Sequence, residues 1–363
     1  MRIGIDASGS SGWRGPGRNI RNIIRSLTAA GSEHQFYLFA PYDCAEYVDV
    51  PLNATTVIVP HIRSVPWNSF ALPFACLRRR IDVFLFPHVS FWPWKPVRSV
   101  IMTRTAFIPA WSDSITDRLQ ASLLTWRFRR VADRVCAVSH FNATQIHLTC
   151  GIPMEMIDVI PNGVDPVFLD DAVAPYDPGY RYLLFCGGSE ERKNIHNLIV
   201  AFGQMKDAGR DEKLLIVGGK LMRSEQEMRV FTEGIGDDRV RRDVEIYGIE
   251  RDARKLAAIY RGASVVVYPS TQEDFGMVSV EAMACGAPLA ASHMPSIPEI
   301  AGDAAVYFDP YDPADMAQKI GRLLDDAALR RELVARGRDR VRKYDWNLSA
   351  RALLAVLERV AAR

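Results

Sequence analysis

Two short stretches of this 363-residue chain carry residue types at spacings that can do chemistry. The first is Pro269-Ser270-Thr271-Gln272-Glu273-Asp274-Phe275-Gly276-Met277-Val278-Ser279-Val280-Glu281-Ala282-Met283-Ala284-Cys285-Gly286. A strand pattern ends at Tyr268, and Gly286 has the character of a helix stop. Between Met277 and Cys285 only Ser279 and Glu281 are not apolar. A helix apolar nearly all round is buried, and a buried carboxylate requires partners. Glu281 is therefore expected to meet a ligand hydroxyl or to form an ion pair with the first half of the chain. Phe275, Gly276, Met277 and Val278 offer unpaired N–H groups at the helix start, an anion site. Acids at Glu273 and Asp274 complement the helix dipole there, and Glu273 is also a candidate ligand contact.

The second stretch is Phe185-Cys186-Gly187-Gly188-Ser189-Glu190-Glu191-Arg192-Lys193-Asn194. It follows one strand pattern and precedes a helix pattern, which sets Arg192 and Lys193 at the carboxyl edge of a sheet. Adjacent cations there can hold a diphosphate, arginine in bidentate fashion and lysine as a point charge. Gly187 and Gly188 let the backbone approach a ligand closely. The same pair without a ligand is an ordinary solvated loop.

These stretches need a sheet to hold them. In the first half, strands are expected at Arg2–Ile5, Gln35–Ala40, Thr56–Val59, Asp82–Phe86, Ser99–Thr103, Arg134–Val138 and Asp158–Ile160. A Gly-rich turn, Gly9 to Gly17, precedes a helix with Ile20, Ile23, Ile24 and Leu27 at three-and-four spacing. Arg118 to Val131 reads as a helix with Leu119, Leu123, Trp126 and Val131 inward and arginines outward. Composition shifts at Asn162-Gly163-Val164-Asp165-Pro166, and the pattern then restarts. Strands are expected at Tyr182–Cys186, Lys213–Val217, Val244–Tyr247, Ser264–Tyr268 and Pro288–Ala291. Helices are expected at Ile195–Lys206, near Glu225–Glu233, and at Asp252–Tyr260, Met277–Cys285 and Asp315–Asp325. Strands alternating with helices imply parallel, doubly wound sheets. Two such arrays imply two Rossmann-like domains facing across a cleft that binds the ligand. Periodicity leaves open which domain receives the last helix, Asn347 to Val360.

Composition excludes several classes. With 48% apolar and 24% charged residues the chain is globular, and no apolar run reaches the length of a spanning helix. The opening Met1-Arg2-Ile3-Gly4-Ile5-Asp6 has no signal-peptide core, so a cytosolic location is expected. Six scattered cysteines form no Cys-x-x-Cys pair and argue against a zinc site or a disulfide framework. Residues 1–165 hold 17 basic and 12 acidic side chains, the remainder 28 and 31. That imbalance is too mild for a nucleic-acid partner. Only 8 of the 45 basic residues are lysine, as a coding bias would produce.

Glu273 and Glu281 stand in a Glu-x7-Glu spacing within Glu-Asp-Phe-Gly-Met-Val-Ser-Val-Glu-Ala-Met-Ala-Cys-Gly-Ala-Pro. Together with Arg192-Lys193-Asn194, Ile160-Pro161-Asn162-Gly163-Val164-Asp165 and Ile297-Pro298-Glu299-Ile300-Ala301-Gly302-Asp303-Ala304-Ala305, the chain resembles the family 4 retaining glycosyltransferases, including bacterial mannosyltransferases of surface polysaccharide synthesis. The resemblance is dense from about Arg134 to Asp315. It implies the GT-B fold, with an acceptor-binding domain over 1–165 plus 346–363 and a nucleotide-sugar-binding domain over 166–345. By the same resemblance Glu281 binds ribose hydroxyls and Glu273 lies by the donor sugar. Phe275, Gly276 and Met277 give amides to sugar and phosphate, Arg192 and Lys193 meet the diphosphate, and Gly248 and Ile249 line the base.

Two departures stand out. The arginine that many members place after the Gly187 position is Gly188 here, and Arg192 is the candidate replacement. The His-Asp pair that many carry before the Pro109 position is missing; Arg104 and Thr105 stand there instead. Cleft candidates on the acceptor side are therefore Gly15, Gly17, His88, Arg104 and Thr105. The expected reaction moves a hexose, mannose from GDP-mannose as first choice, to a saccharide acceptor. No cofactor is expected beyond this co-substrate, and no metal, since no Asp-x-Asp occurs.

Arg78-Arg79-Arg80, Arg127, Arg129 and Arg130, with Trp92, Trp94 and Trp111, would suit a lipid-linked acceptor at an anionic bilayer. The same residues equally suit a solvated face over buried tryptophans. Competing readings are a GT-B-like nucleotide-sugar epimerase, a phosphorylase, which would need a pyridoxal lysine, and a non-catalytic nucleotide-sugar-binding partner. A dinucleotide dehydrogenase fits less well, because Gly15-Pro16-Gly17-Arg18-Asn19-Ile20 lacks the third glycine.

Overall fold

A computed structural model describes residues 1–12, 15–60, 67, 69–88, 90, 92–103, 125–126, 128–218 and 235–363. The chain divides into two compact units, Met1–Gly163 with Asp345–Arg363, and Val164–Tyr344.

The first unit runs β1 (Arg2–Asp6), α1 (Gly15–Ala30), β2 (Gln35–Ala40), β3 (Ala54–Ile58), α2 (Ala71–Arg79), β4 (Val83–Phe86), β5 (Arg98–Thr103), β6 (Arg134–Ala137), α3 (His140–Cys150) and β7 (Ile157–Val159). Its strands form a parallel seven-stranded sheet in the order β3-β2-β1-β4-β5-β6-β7, with Ile5 registered against Leu38 and Leu85. Alternation along β4 splits the core into two layers. Val83 and Leu85 join Ile20, Ile24 and Leu27 of α1, whereas Phe84 and Phe86 join Trp92, Phe128 and Val135.

The second unit runs β8 (Tyr182–Cys186), α4 (Ile195–Asp207), β9 (Lys213–Val217), α5 (Asp238–Asp243), β10 (Val244–Gly248), α6 (Ala253–Gly262), β11 (Val265–Tyr268), α7 (Met277–Cys285), β12 (Leu289–Ser292), α8 (Ile297–Ala301), β13 (Val306–Phe308), α9 (Pro313–Asp325) and α10 (Ala327–Arg340). Its parallel sheet has the order β10-β9-β8-β11-β12-β13. Leu183, Phe185, Leu214, Ile216, Val265 and Val267 pack against Leu198, Phe202, Met316 and Ile320.

The last helix, α11 (Trp346–Ala361), belongs to the first unit. Leu353, Leu354 and Leu357 share a core with Ile20, Ile24 and Leu27. Arg98 donates to the carbonyls of Val360 (3.0 Å) and Ala361 (2.7 Å), satisfying C-terminal acceptors that the helix cannot satisfy itself. The chain returns so closely that a Cβ on Gly163 would stand 2.4 Å from the Trp346 nitrogen, which only glycine permits.

Several expectations shift. Helix α1 begins at Gly15, so the turn is shorter than Gly9–Gly17; Pro16 is tolerated because first-turn N–H groups have no helical partner. Trp126, expected inward, is half exposed with Arg130 4.6 Å above its ring, and Phe128 takes the core position. Trp92 is fully buried and Trp94 partly exposed. Helices α2, α3, α5, α8 and α10 and strand β13 were not anticipated. Leu119, Leu123, Trp111 and the helix near Glu225–Glu233 lie outside the described residues. All six cysteines are free, five of them buried.

Candidate functional site

In the second sheet the strand order reverses between β8 and β11. Their following loops depart in opposite directions and leave a crevice at the carboxyl ends, the ligand position of open α/β sheets. Both motif stretches lie on those two loops.

After β8 the chain passes Gly187 and Gly188 and makes a 3-10 turn, Glu191–Lys193. Asn194 follows with φ +58°; its side chain donates to the carbonyls of Pro269 (3.1 Å) and Pro310 (2.7 Å). The Arg192 carbonyl accepts from Thr271 N (2.8 Å) and Ser270 Oγ (2.9 Å). The two loops are thereby locked together.

Glu273 is the focus of that lock. Its Oε1 accepts from Lys193 Nζ (2.5 Å), Ser270 Oγ (2.7 Å) and Arg192 Nη1 (3.0 Å). Ser296 Oγ donates to its carbonyl (2.7 Å). Burial works to raise this carboxyl, but Lys193 and Arg192 outweigh it and hold it below its ordinary range. Lys193 Nζ also lies 5.6 Å from the Tyr268 ring, a cation–π distance. Lysine is mostly covered here, while the arginine is 43% exposed and still faces solvent. Both expected diphosphate cations are thus present, but each is already paired with Glu273.

Gly276 precedes α7 with φ +91°, a left-handed conformation suited to glycine. No side chain caps this helix start, which leaves its N–H groups for a partner. Phe275 is buried edge-on against Tyr344 (5.5 Å), and Met277 and Val278 open the helix. Glu281, 4% exposed, accepts a 3.0 Å bond from the Tyr260 hydroxyl of α6. Burial foremost, then Cys186 and Glu281, push the Tyr260 phenol well up, so it remains a donor.

Gly187 is tied to β9 through its N–H to Val217 O (2.9 Å), and a Cβ on Gly188 would stand 2.2 Å from the Glu190 carboxylate. Gly248 ends β10 at φ +86° and accepts from Gly218 N (2.8 Å), with Ile249 46% exposed beyond it. The structure therefore gathers Arg192, Lys193 and Glu273 into one cluster, places Glu281 and residues 275–278 on the adjoining helix, and puts Gly248 and Ile249 at the end of an outer strand. Sequence reasoning missed Ser270, Tyr260, Asn194 and Ser296. For Ser270 a signal existed in its spacing from Glu273; Tyr260 had none.

The remaining candidates are in the first unit. Gly15 and Gly17 fall in the first turn of α1, where a Cβ on Gly17 would come within 1.9 Å of the Gly12 carbonyl. His88 follows β4 and has Asp6 beside it, Nε2 to Oδ2 3.4 Å. Arg104 and Thr105 lie outside the described residues.

Comparison with known proteins identifies the family and the fold. Residues 170–340 match the model "Glycosyl transferases group 1", and residues 13–168 match "Glycosyltransferase Family 4". The chain is 35% identical over 208 residues to a phosphatidyl-myo-inositol mannosyltransferase of Mycobacterium leprae, covering 56% of this chain and 53% of that protein. It is 29% identical over 231 residues to a 2-deoxystreptamine glucosyltransferase of Streptomyces kanamyceticus, covering 59% and 58%. The matched part thus spans just over half the length of these curated relatives. The sucrose-phosphate synthase structure from Thermosynechococcus elongatus superposes with a TM-score of 0.75 at 20% identity, over 100% of this chain and 99% of that one. With this GT-B fold, its two family models and the Glu-x7-Glu helix start, the chain belongs to the family 4 glycosyltransferases.

Proposed function

We propose that the protein transfers a hexose, with retention, from a nucleoside-diphosphate sugar to a saccharide acceptor, mannose from GDP-mannose being the first choice. The observation that carries this is the convergence of Arg192, Lys193 and Glu273 beside the uncapped start of α7. Charge builds on the departing diphosphate as the sugar leaves. Arg192, Lys193 and the N–H groups of residues 275–278 stabilise it, and preorganised groups need no reorientation as the reaction proceeds. That positive charge stands in for a divalent metal, so none is required. Glu273 yields its cations to the diphosphate and turns toward the donor sugar, while Glu281 takes the ribose hydroxyls and Gly248 and Ile249 flank the base. Attack on the face that the diphosphate leaves, with a phosphate oxygen accepting the acceptor's proton, preserves configuration without a covalent intermediate.

A thermal-shift panel of GDP, UDP, ADP and their sugar conjugates, with EDTA present, tests this reading. Selective binding raises the melting temperature, by about 2.7 kcal/mol of stability at a hundredfold excess over Kd. A shift with GDP and GDP-mannose supports the mannosyl reading, and a shift with UDP redirects it to another hexose. No shift with any nucleotide refutes donor binding and leaves a non-catalytic protein.

The acceptor is proposed to be lipid-linked, with the first unit in peripheral contact with the inner face of an anionic membrane. No helix among the described residues is long and apolar enough to cross a membrane. Instead α2 and its N-cap expose Phe70 (65%), Phe74 (68%) and Leu77 (47%) at four-and-three spacing, so they share one face. Arg78, Arg79 and Arg80 follow, and Trp94 Nε1 donates to Ser69 O (2.9 Å) beside them. An apolar stripe edged by arginines suits the headgroup boundary. Flotation with phosphatidylglycerol vesicles should carry the wild type but not Phe70→Ser/Phe74→Ser; equal flotation of both, or of neither, refutes this surface.

A further inference from the structure

Among the described residues three that are not glycine have φ in the left-handed range, Arg80 (+53°), Asn194 (+58°) and Ser296 (+71°). Arg80 ends helix α2, a common place for that backbone. The other two stand on either side of the Glu273 loop. Asn194, after β8, donates to Pro269 O where that loop begins, and Ser296, after β12, donates to the Glu273 carbonyl. Asparagine tolerates this conformation. Ser296, with ψ −41°, lies outside even the small left-handed region open to L-residues. Backbone strain of this kind persists only where its surroundings enforce it, and it gathers at functional sites.

Ser296 gives up a second local preference. It stands at the N-cap of α8, where a serine oxygen ordinarily accepts from an N–H of the first turn, yet no such bond forms. The hydroxyl of this buried residue is given to Glu273 O instead, at 2.7 Å. Bracing its own loop is not the reason. His293 N donates to Phe308 O (3.0 Å), Met294 N to Ser292 Oγ (3.1 Å), Ile297 N to Met294 O (3.3 Å) and Ile300 N to Ser296 O (3.0 Å). None of these bonds uses the Ser296 hydroxyl.

We infer that Ser296 is a positioning residue of the transfer site, its hydroxyl fixing the Glu273 backbone and with it the run of N–H groups that starts at Phe275. Glu273 is then gripped at both ends, its carboxylate by Lys193, Arg192 and Ser270 and its carbonyl by Ser296. A carboxylate anchored only through its side chain could still swing with its loop; the second anchor removes that freedom before the reaction rather than during it. This rests on the glycosyl-transfer reading, and the experiment separates the two.

Two variants part the hydroxyl from the strain. Ser296→Ala deletes the bond and keeps the strained backbone, so its melting temperature should fall. Ser296→Gly deletes the same bond but has no Cβ to oppose a positive φ, so it should melt above Ser296→Ala. The donor is GDP-mannose or UDP-glucose, whichever raises the wild-type melting temperature, and the readout is nucleoside-diphosphate release with octyl α-mannopyranoside or water as acceptor. Both variants should lose kcat by the same factor, about 3- to 10-fold, the worth of one hydrogen bond, with donor KM little changed. Equal loss of kcat at unequal stability is what a purely structural residue would not produce. Wild-type kcat in Ser296→Gly, or kcat that rises and falls with melting temperature, overturns the inference. If the wild type binds donor without releasing nucleotide, affinity for the sugar conjugate, read by titration, takes the place of kcat, and equal losses in both variants are again required. A wild type that binds no donor refutes the transferase reading itself, and the role of Ser296 falls with it.

Discussion

Glu273→Gln should lower turnover about 100- to 1,000-fold, the typical cost of removing one preorganised electrostatic contact to a transition state. The same variant should bind free nucleoside diphosphate as tightly as the wild type or more tightly. The reason for the split is that Glu273 occupies the two cations proposed above for the diphosphate, Lys193 at 2.5 Å and Arg192 at 3.0 Å. Removing its charge frees them for a ligand but deletes the carboxylate proposed to face the donor sugar. Glutamine keeps an oxygen for the Ser270 hydroxyl, so the loops should stay locked.

Stability reports on the same group. The Glu273 carboxyl is held low in the folded protein, because Lys193 and Arg192 overcome the effect of burial. A depressed carboxyl contributes stability that is present above its unfolded pKa and lost as pH falls through the folded one. The wild type should therefore exceed Glu273→Gln in melting temperature at neutral pH, and the two should converge below the ordinary carboxylate range. Arg192 remains partly solvated, so its share of the gain is screened by solvent and small. Steady-state kinetics with isothermal titration of GDP and UDP decides the catalytic half. Unchanged turnover refutes the role assigned to Glu273.

Glu281→Ala is expected to act on binding instead, weakening nucleotide affinity about 10- to 100-fold through loss of a charged acceptor for ribose hydroxyls. Turnover at saturating donor should fall far less. Alanine also takes the carboxylate acceptor from the buried Tyr260 hydroxyl and leaves it only the weak Cys186 thiol, at a cost of up to about 1–3 kcal/mol. Glu281→Gln separates these effects. It keeps an oxygen for Tyr260 and should restore the melting temperature, while ribose affinity stays reduced because the charge is gone. If both variants bind nucleoside diphosphate like the wild type, Glu281 serves the fold alone.

Patterns of period two and period 3.6 place most strands and several helices within a residue or two, because each depends on neighbours in sequence. The burial of α7 followed from its apolar circumference, and the demand for partners at Glu281 followed from that burial. Local pattern carries no such information about which distant group answers the demand. Tyr260 meets Glu281 from another helix, Lys193 and Arg192 meet Glu273 across about eighty residues, and Asp6 meets His88 across a similar span. Those pairings exist only because strand order brings β8 beside β11 and β1 beside β4. Two further matters were settled in three dimensions. Trp126 and Phe128 compete for one inward position, and packing against Phe86 and Val135 selects the phenylalanine. Helix α11 has an apolar face that periodicity alone could dock on either sheet, and its match to α1 and Arg98 selects the first. Local geometry is written in residues close in sequence; the site's charges find their partners only when the sheets form.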